Sequence, residues 1–97
     1  MNTYQSNQLT QDEVAGLLVT LVKPLVSHPT AVAVAIRPND RFTEYALTVA
    51  PDDIGEVIGR HGQVAQAIRT VLYGVRTTDQ KRNRLLIVDE NKKGPES

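Results

Sequence analysis

The feature that most constrains the fold of this chain is the tetrapeptide Gly59-Arg60-His61-Gly62, which lies between two stretches with helical periodicity. Glycine is unfavourable inside a helix but favourable at a helix end, where the backbone often becomes left-handed. The spacing therefore predicts two helices joined at a tight corner. We expect Gly59 to end the first helix in a left-handed conformation. We expect Gly62, which has no Cβ, to let another backbone approach closely.

This corner carries a candidate anion site. The first amides of the second helix, around Gln63 and Val64, have no acceptors within the helix and lie at the positive end of its dipole. A phosphate fits such a position, and Arg60 projects beside it as an exposed cation. A tight corner also needs glycine for purely structural reasons. However, the flanking apolar residues, such as Ile58 and Ile68, must pack on the rest of the protein. Both glycines therefore stay at the rim, which favours the phosphate site.

The N-terminal part of the chain predicts a capped helix. Thr10-Gln11-Asp12-Glu13 is a capping box, in which the Thr10 hydroxyl accepts from the Glu13 amide and the Glu13 carboxylate accepts from the Thr10 amide. Apolar residues then recur at three- and four-residue steps, at Val14, Leu17, Leu18, Leu21, Val22 and Leu25. Pro24 lacks an amide and clashes with the preceding turn, so we expect the helix to kink or end there.

Two strands follow this helix. Residues 31–37 alternate large and small apolar side chains, which is typical of a strand, and Pro38 begins a turn. Residues 44–50 form the second strand and are expected to pair with the first as a hairpin. One face of this strand carries Tyr45, Leu47 and Val49. The opposite face of the sheet has small side chains and is expected to stay open to solvent or a partner; these are Ala33, Ala35, Ala46 and Thr48.

The second half of the chain predicts two helices and a last strand. Asp52 and Asp53 offer carboxylate caps to a short helix that ends at Ile58. A second helix has its apolar stripe at Val64, Ala65, Ile68, Val71 and Leu72 and ends at Gly74. Residues 75–83 form a polar, basic loop. Residues 84–88 form a strand whose continuous apolar run suits a central or well-covered position.

This order of elements predicts an α+β fold in two layers, with a three-stranded sheet covered on one face by three helices. The predicted boundaries are a flexible N-terminus over residues 1–8, one domain over residues 9–89 and a disordered tail over residues 90–97.

The charge of the chain is polarised although its net charge is zero. Residues 1–59 carry a net charge of −4, residues 60–84 carry +5, and residues 85–97 carry −1. A molecule with this distribution can attract a polyanion at one face. A solvated basic face without a partner explains the same numbers, so charge alone leaves both interpretations open.

Several classes of function are disfavoured by what the sequence lacks. Without cysteine there are no disulfides, thiolate metal sites or cysteine nucleophiles. His28 and His61 do not form a metal motif, and no nucleophile has a base at a useful spacing. We therefore expect no enzyme activity, metal or cofactor. The longest apolar stretch, residues 14–26, is interrupted and too short to span a bilayer, and the N-terminus does not resemble a signal peptide. These features predict a soluble, cytoplasmic protein.

The segment Ile58-Gly59-Arg60-His61-Gly62, followed by Ile68 and preceded by Gly55, resembles the G-x-x-G signature of K-homology (KH) domains. A helix and a strand precede the strand-helix-helix-strand unit, which resembles the bacterial type II arrangement and the small single-KH proteins of the KhpA family. The resemblance implies that the Gly59–Gly62 loop contacts a sugar-phosphate backbone. It also implies that Ile54 and Ile58 line one wall of a base groove and that the last strand near Arg84 and Leu86 lines the other. The predicted RNA-binding residues are Ile54, Ile58, Gly59, Arg60, His61, Gly62, Gln63, Arg69 and Arg84.

The resemblance further implies a single-stranded RNA partner and a role as an RNA chaperone or post-transcriptional regulator. It implies a homodimer, or a heterodimer with a larger KH protein of the KhpB/Jag type, and a link to cell elongation and cell-wall homeostasis. The alternative is a dimerisation or protein-interaction module with little RNA binding of its own. His61 either contributes a hydrogen bond or is simply an exposed loop residue.

Overall fold

The first helix begins at the predicted capping box. The computed structural model describes residues 8–89, in which α1 spans Gln11–Val22. The Glu13 amide donates to Thr10 Oγ1 over 3.1 Å, and the Thr10 amide donates to Glu13 Oε1 over 2.9 Å. A 3-10 turn at Lys23–Leu25 follows the helix, so the α-helix ends where Pro24 removes an amide donor.

The remaining elements follow in the predicted order, with one addition. The strands are β1 (Gln8–Leu9), β2 (Ala33–Pro38), β3 (Phe42–Thr48), β4 (Arg76–Thr77) and β5 (Arg82–Val88), and the further helices are α2 (Ile54–Ile58) and α3 (Gln63–Gly74). β1 and β4 form a small parallel pair that the sequence analysis did not predict. The predicted N-terminal segment and tail lie outside the described residues, except that Gln8 belongs to β1.

The main sheet has the strand order β2-β3-β5, with β2 antiparallel to β3 and β3 parallel to β5. This arrangement confirms the predicted hairpin and the α+β fold with a three-stranded sheet and three helices. The last strand was expected in a central or well-covered position, but β5 lies at the edge of the sheet and β3 lies in the middle. Only one face of β5 is well covered: Leu85 is buried, whereas Leu86 is 39% exposed.

The side chains of β3 that were predicted to be buried are buried, and one further residue is buried as well. Tyr45 and Leu47 are fully buried, and Val49, just beyond the strand, is also in the core. Ala46 was expected on an open face but is buried. It pairs with Ala35 on one side and Leu86 on the other, and a side chain as small as alanine is shielded by these neighbours.

The helical stripes are also narrower than the sequence suggests. In α3, Ala65, Ile68 and Leu72 are buried as predicted. Val71, which was expected in the same stripe, is 46% exposed, so that prediction was wrong. A residue one position before Leu72 is rotated by about 100° around the helix axis, away from the centre of the buried face.

The predicted basic loop between α3 and β5 is held in place by Asp79. Its Oδ1 accepts from Thr77 Oγ1 over 2.6 Å and from the Lys81 amide over 2.9 Å. Its Oδ2 accepts from Gln11 Nε2 over 2.7 Å and from Thr43 Oγ1 over 3.3 Å. The turn is thereby tied to the start of α1 and to β3. The hydrogen bonds from Thr77 and from the Lys81 amide contribute most to lowering the Asp79 pKa to about 2.

Asn83 joins the end of α3 to β5. Its Nδ2 donates to the carbonyls of Leu72 and Val75, both over 3.0 Å, and so satisfies acceptors at the helix C-terminus.

In the central strand β3, the Tyr45 hydroxyl is buried without a hydrogen-bond partner among the described residues. Burial is the main reason why the Tyr45 pKa is raised to about 12.

Replacing Asp79 by asparagine should destabilise the protein by about 1–3 kcal/mol, because hydrogen bonds to a charged carboxylate are lost. Urea unfolding at pH 7 measures this difference, with Asp40→Asn on the exposed β2–β3 turn as the matched control. Because the folded-state pKa of Asp79 lies below its usual value of 3.8, this stabilisation is present above about pH 4. It is lost as the pH falls towards 2. The difference in unfolding free energy between wild type and Asp79→Asn should therefore become smaller from pH 6 to pH 3. An unchanged difference contradicts the stabilising role of the Asp79 carboxylate.

Candidate nucleic-acid interface

The corner between α2 and α3 depends on Gly59. Its φ of +79° and ψ of 171° lie in a region that is nearly restricted to glycine. The Gly59 amide donates to the Gly55 carbonyl over 2.8 Å and completes the last turn of α2. A Cβ at Gly59 would lie 2.8 Å from both the Val64 amide nitrogen and the Val64 Cβ. No side chain fits there, so Gly59 allows α3 to start directly against the end of α2.

The two glycines therefore have different roles from those predicted. Gly59 has a positive φ but not a left-handed helical conformation, and it is Gly59 rather than Gly62 that allows the close approach. Gly62 is left-handed, with a φ of +75°, and apart from adjoining parts of the chain no atom lies within 4 Å of the position that its Cβ would take. Gly62 is open to an approaching ligand.

Two of the amides at the start of α3 are already used. The Gly62 amide donates to the Gly59 carbonyl over 3.1 Å, and the Gln63 amide donates to the Arg60 carbonyl. The prediction of an unpaired amide at Gln63 was therefore wrong, because the corner tightens into a 3-10 turn over Arg60–Gly62. The positive end of the α3 dipole still lies at this corner.

The side chains in the corner are directed to solvent. Arg60, His61 and Gln63 are exposed, and Arg60 forms no ion pair within residues 8–89. His61 has a φ of 56°, an uncommon conformation for a residue with a side chain, which histidine adopts more readily than most. The corner thus presents one free cation and one imidazole beside an unobstructed glycine.

An apolar surface adjoins this corner. Ile58, at the end of α2, is 36% exposed, and Ile54 at its start is half-buried. The predicted site residues from Ile54 to Gln63 thus lie along α2 and the corner that follows it.

Arg69 and Arg84 lie apart from this group. Arg69 is half-buried on α3, well beyond the corner. Arg84 is exposed on β5, with its guanidinium 4.6 Å from the centre of the Phe42 ring. Asn83, the residue before it, is bonded to the C-terminal end of α3. Arg84 therefore lies towards the C-terminal end of α3, whereas the glycine corner lies at the N-terminal end of this helix, which is about 18 Å long for twelve residues.

Asp53 positions α2 in a way that the sequence did not reveal. The predicted side-chain cap is absent; instead, the Asp53 carboxylate accepts from the Ser27 amide over 2.9 Å and from the His28 amide over 3.0 Å. These hydrogen bonds, first that from Ser27, lower the Asp53 pKa. They tie the loop after α1 to the start of α2. Asp52 instead lies 3.8 Å from His28 Nε2 in an exposed pair.

In residues 8–89, no group of three or more histidine, cysteine, aspartate or glutamate side chains is placed to hold a metal ion. Within the same residues, no helix is long and apolar enough to cross a membrane.

The sequence of this chain is similar to those of known proteins. Residues 15–87 match the family model described as KhpA/KhpB, KH domain. A protein of Lactiplantibacillus plantarum named RNA-binding protein KhpA is 48% identical over 81 residues, covering 84% of this chain and 95% of the relative. Proteins of the same name from Listeria monocytogenes and Streptococcus pneumoniae are each 41% identical; they cover 75% and 78% of this chain and 96% and 95% of their own lengths. No solved structure matched the chain.

Alanine substitutions at the two glycines should have unequal effects on stability. Gly59→Ala should cost about 3 kcal/mol or more, because it combines an unfavourable φ with a collision against Val64. Gly62→Ala should cost about 1–2 kcal/mol, since it meets only the left-handed penalty. Urea unfolding of both variants measures the difference. Equal losses, or a larger loss for Gly62→Ala, would show that the close contact at Gly59 has been misassigned.

Proposed function

Because the chain belongs to the KhpA/KhpB family of KH domains, we propose that it binds single-stranded RNA through the corner between α2 and α3. The observation that carries this proposal is the free Arg60 cation beside the unobstructed backbone of Gly62. In KH domains the G-x-x-G loop clamps the backbone of about four nucleotides. The relatives' name, RNA-binding protein KhpA, supports the same conclusion.

The proposed mechanism uses the corner for the backbone and α2 for the bases. A phosphate approaches Gly62, where no side chain obstructs it, and Arg60 neutralises its charge. The positive end of the twelve-residue α3 adds to the attraction. Ile54 and the partly exposed Ile58 provide an apolar wall against which bases pack. His61 adds a hydrogen-bond donor next to the backbone.

A single domain of this kind should bind RNA weakly, because it has few aromatic side chains on which bases stack. Pairing two domains raises the apparent affinity through effective concentration. We therefore propose a homodimer, or a heterodimer with a KhpB/Jag-type KH protein, as the working form. An RNA-chaperone or post-transcriptional regulatory role in the cytoplasm, connected with cell elongation and cell-wall homeostasis, is the corresponding cellular proposal.

The second candidate is an interaction module that binds little RNA itself. The apolar side chains exposed on α3 favour this alternative: Val71 is 46% exposed and Tyr73 is 56% exposed. Sedimentation of the purified protein with and without RNA distinguishes the RNA-binding domain from the interaction module. A stable dimer that is indifferent to RNA supports the interaction module alone.

The double variant Arg60→Asp/His61→Asp should weaken RNA binding by at least about tenfold, because it replaces phosphate-facing cationic and donor groups with carboxylates. Both residues are exposed, and aspartate tolerates the left-handed conformation at position 61, so the fold should be retained. Fluorescence anisotropy with a labelled random-sequence single-stranded RNA measures binding, and circular dichroism checks the fold.

The matched control for this variant is Lys23→Asp/Thr30→Asp. Both of its positions are exposed and lie outside the corner, and the change in net charge is the same. The control should bind RNA nearly as well as the wild type. If both variants lose affinity equally, net charge rather than the corner governs binding.

Binding should also depend on salt. If about three phosphates are engaged, the logarithm of the association constant should fall with the logarithm of salt concentration at a slope near −2. Repeating the anisotropy titration over a range of potassium chloride concentrations measures this slope. A slope near zero would mean that the backbone is not the main contact.

A further inference from the structure

A second cationic surface lies at the opposite end of α3 from the glycine corner. It is an open cleft of about 1140 Å³. Five of its lining residues are basic: Arg41, Arg76, Lys81, Arg82 and Arg84. The residues that line it within the described chain include no aspartate or glutamate. We refer to it below as the far cleft.

The cations of the far cleft come from separate elements that the fold brings together. Arg41 precedes β3, Arg76 lies in β4, and Arg82 begins β5. Lys81 Nζ donates to the Asn39 carbonyl over 2.6 Å, which ties the β5 side of the cleft to the β2–β3 turn. The Asp79 hydrogen bonds fix the turn between β4 and β5. The cationic side chains are therefore carried by an ordered framework rather than by a mobile tail.

Asp79, in the turn between β4 and β5, is not among the residues that line the cleft. Its carboxylate accepts hydrogen bonds from Thr77, Gln11 and Thr43 and from the Lys81 amide. Five like charges around one open cleft repel one another, and a polyanion that neutralises them relieves the repulsion. The charge of the far cleft thus fits a ligand that brings several negative charges along its length.

The far cleft also has aromatic groups suited to a nucleobase. The Phe42 ring is covered by the Arg84 guanidinium at 4.6 Å, and Tyr73 is 56% exposed. Nucleobases stack on aromatic rings and on arginine planes. Alternating phosphates and flat bases distinguish a nucleic-acid strand from an acidic peptide, which supplies negative charge without the stacking groups.

We infer that the far cleft binds a second segment of the RNA strand held at the glycine corner, with phosphates on Arg76 and Arg82 and a base against Arg84 or Tyr73. This inference rests on the proposed function and extends its footprint. The corner accounts for about four nucleotides, and the two sites are separated by the length of α3, about 18 Å. A strand that reaches both sites must therefore be longer than the one that fills the corner.

The test compares a four-nucleotide with a twelve-nucleotide oligouridylate, both fluorescein-labelled, on the full chain. The variant is Arg76→Glu/Arg82→Glu, at two exposed positions for which the structure shows no side-chain hydrogen bond or ion pair. The control is Lys23→Glu/Arg37→Glu, which changes the net charge equally and lies outside the far cleft. Unfolding midpoints and circular dichroism confirm that all three proteins are folded.

In the wild type and the control, the longer strand should bind much more tightly than the shorter one. In the far-cleft variant, the ratio of the two Kd values should fall by at least about tenfold. The salt slope for the longer strand should become shallower by about 1.4, as expected for two lost phosphate contacts on a single strand. The four-nucleotide strand should bind all three proteins within about twofold, since it fills only the corner.

Several outcomes would overturn the inference. If the far-cleft variant keeps the wild-type ratio and salt slope, the cleft does not hold RNA, while binding at the corner stands. A competitor, either oligoglutamate or free uridine monophosphate, is added to the wild type with the longer strand. If it raises the apparent Kd for that strand to the value of the far-cleft variant, the cleft is a site for acidic peptides or free nucleotides. If wild type binds neither oligomer, the proposed function fails together with this inference.

Discussion

The contact between Val64 and the backbone of Gly59 is the constraint on which the candidate site depends. Because Gly59 has no side chain, the start of α3 packs directly on the end of α2, and the connection needs only a short 3-10 turn. Arg60 and His61 lie in that turn, and both side chains are exposed. The close packing of α2 on α3 thus places an exposed cation beside the open backbone of Gly62.

Three acidic residues hold the backbone in place rather than pairing with arginines at the surface. Glu13, Asp53 and Asp79 all accept hydrogen bonds from backbone amides: at the start of α1, in the loop that precedes β2, and in the turn before β5. A carboxylate held in this way stabilises the fold but is not free to pair with a surface arginine. These three acids therefore serve the fold, whereas Arg60, Arg76 and Arg82 are exposed and form no ion pair within residues 8–89.

Local patterns in the sequence predicted the helices and strands well. Contacts between residues far apart in the sequence could not be predicted from them. The capping box at Thr10 and the alternation at Tyr45 depend on near neighbours, and both were confirmed. The pairing of Gln8 with Arg76 and the contact of Asp79 with Gln11 join residues almost seventy positions apart, and no local pattern encodes them. For the same reason, composition alone could not show which glycine makes the close contact or that the basic run borders a shared cleft.

The two ends of α3 offer complementary solutions to weak binding. A corner with one free cation and little aromatic surface has few contacts with which to hold a strand. A second basic surface at the other end of the same helix adds contacts at a distance that the twelve residues of α3 already fix in the protein. If both surfaces bind RNA as proposed, this spacing favours strands long enough to reach both ends over shorter ones.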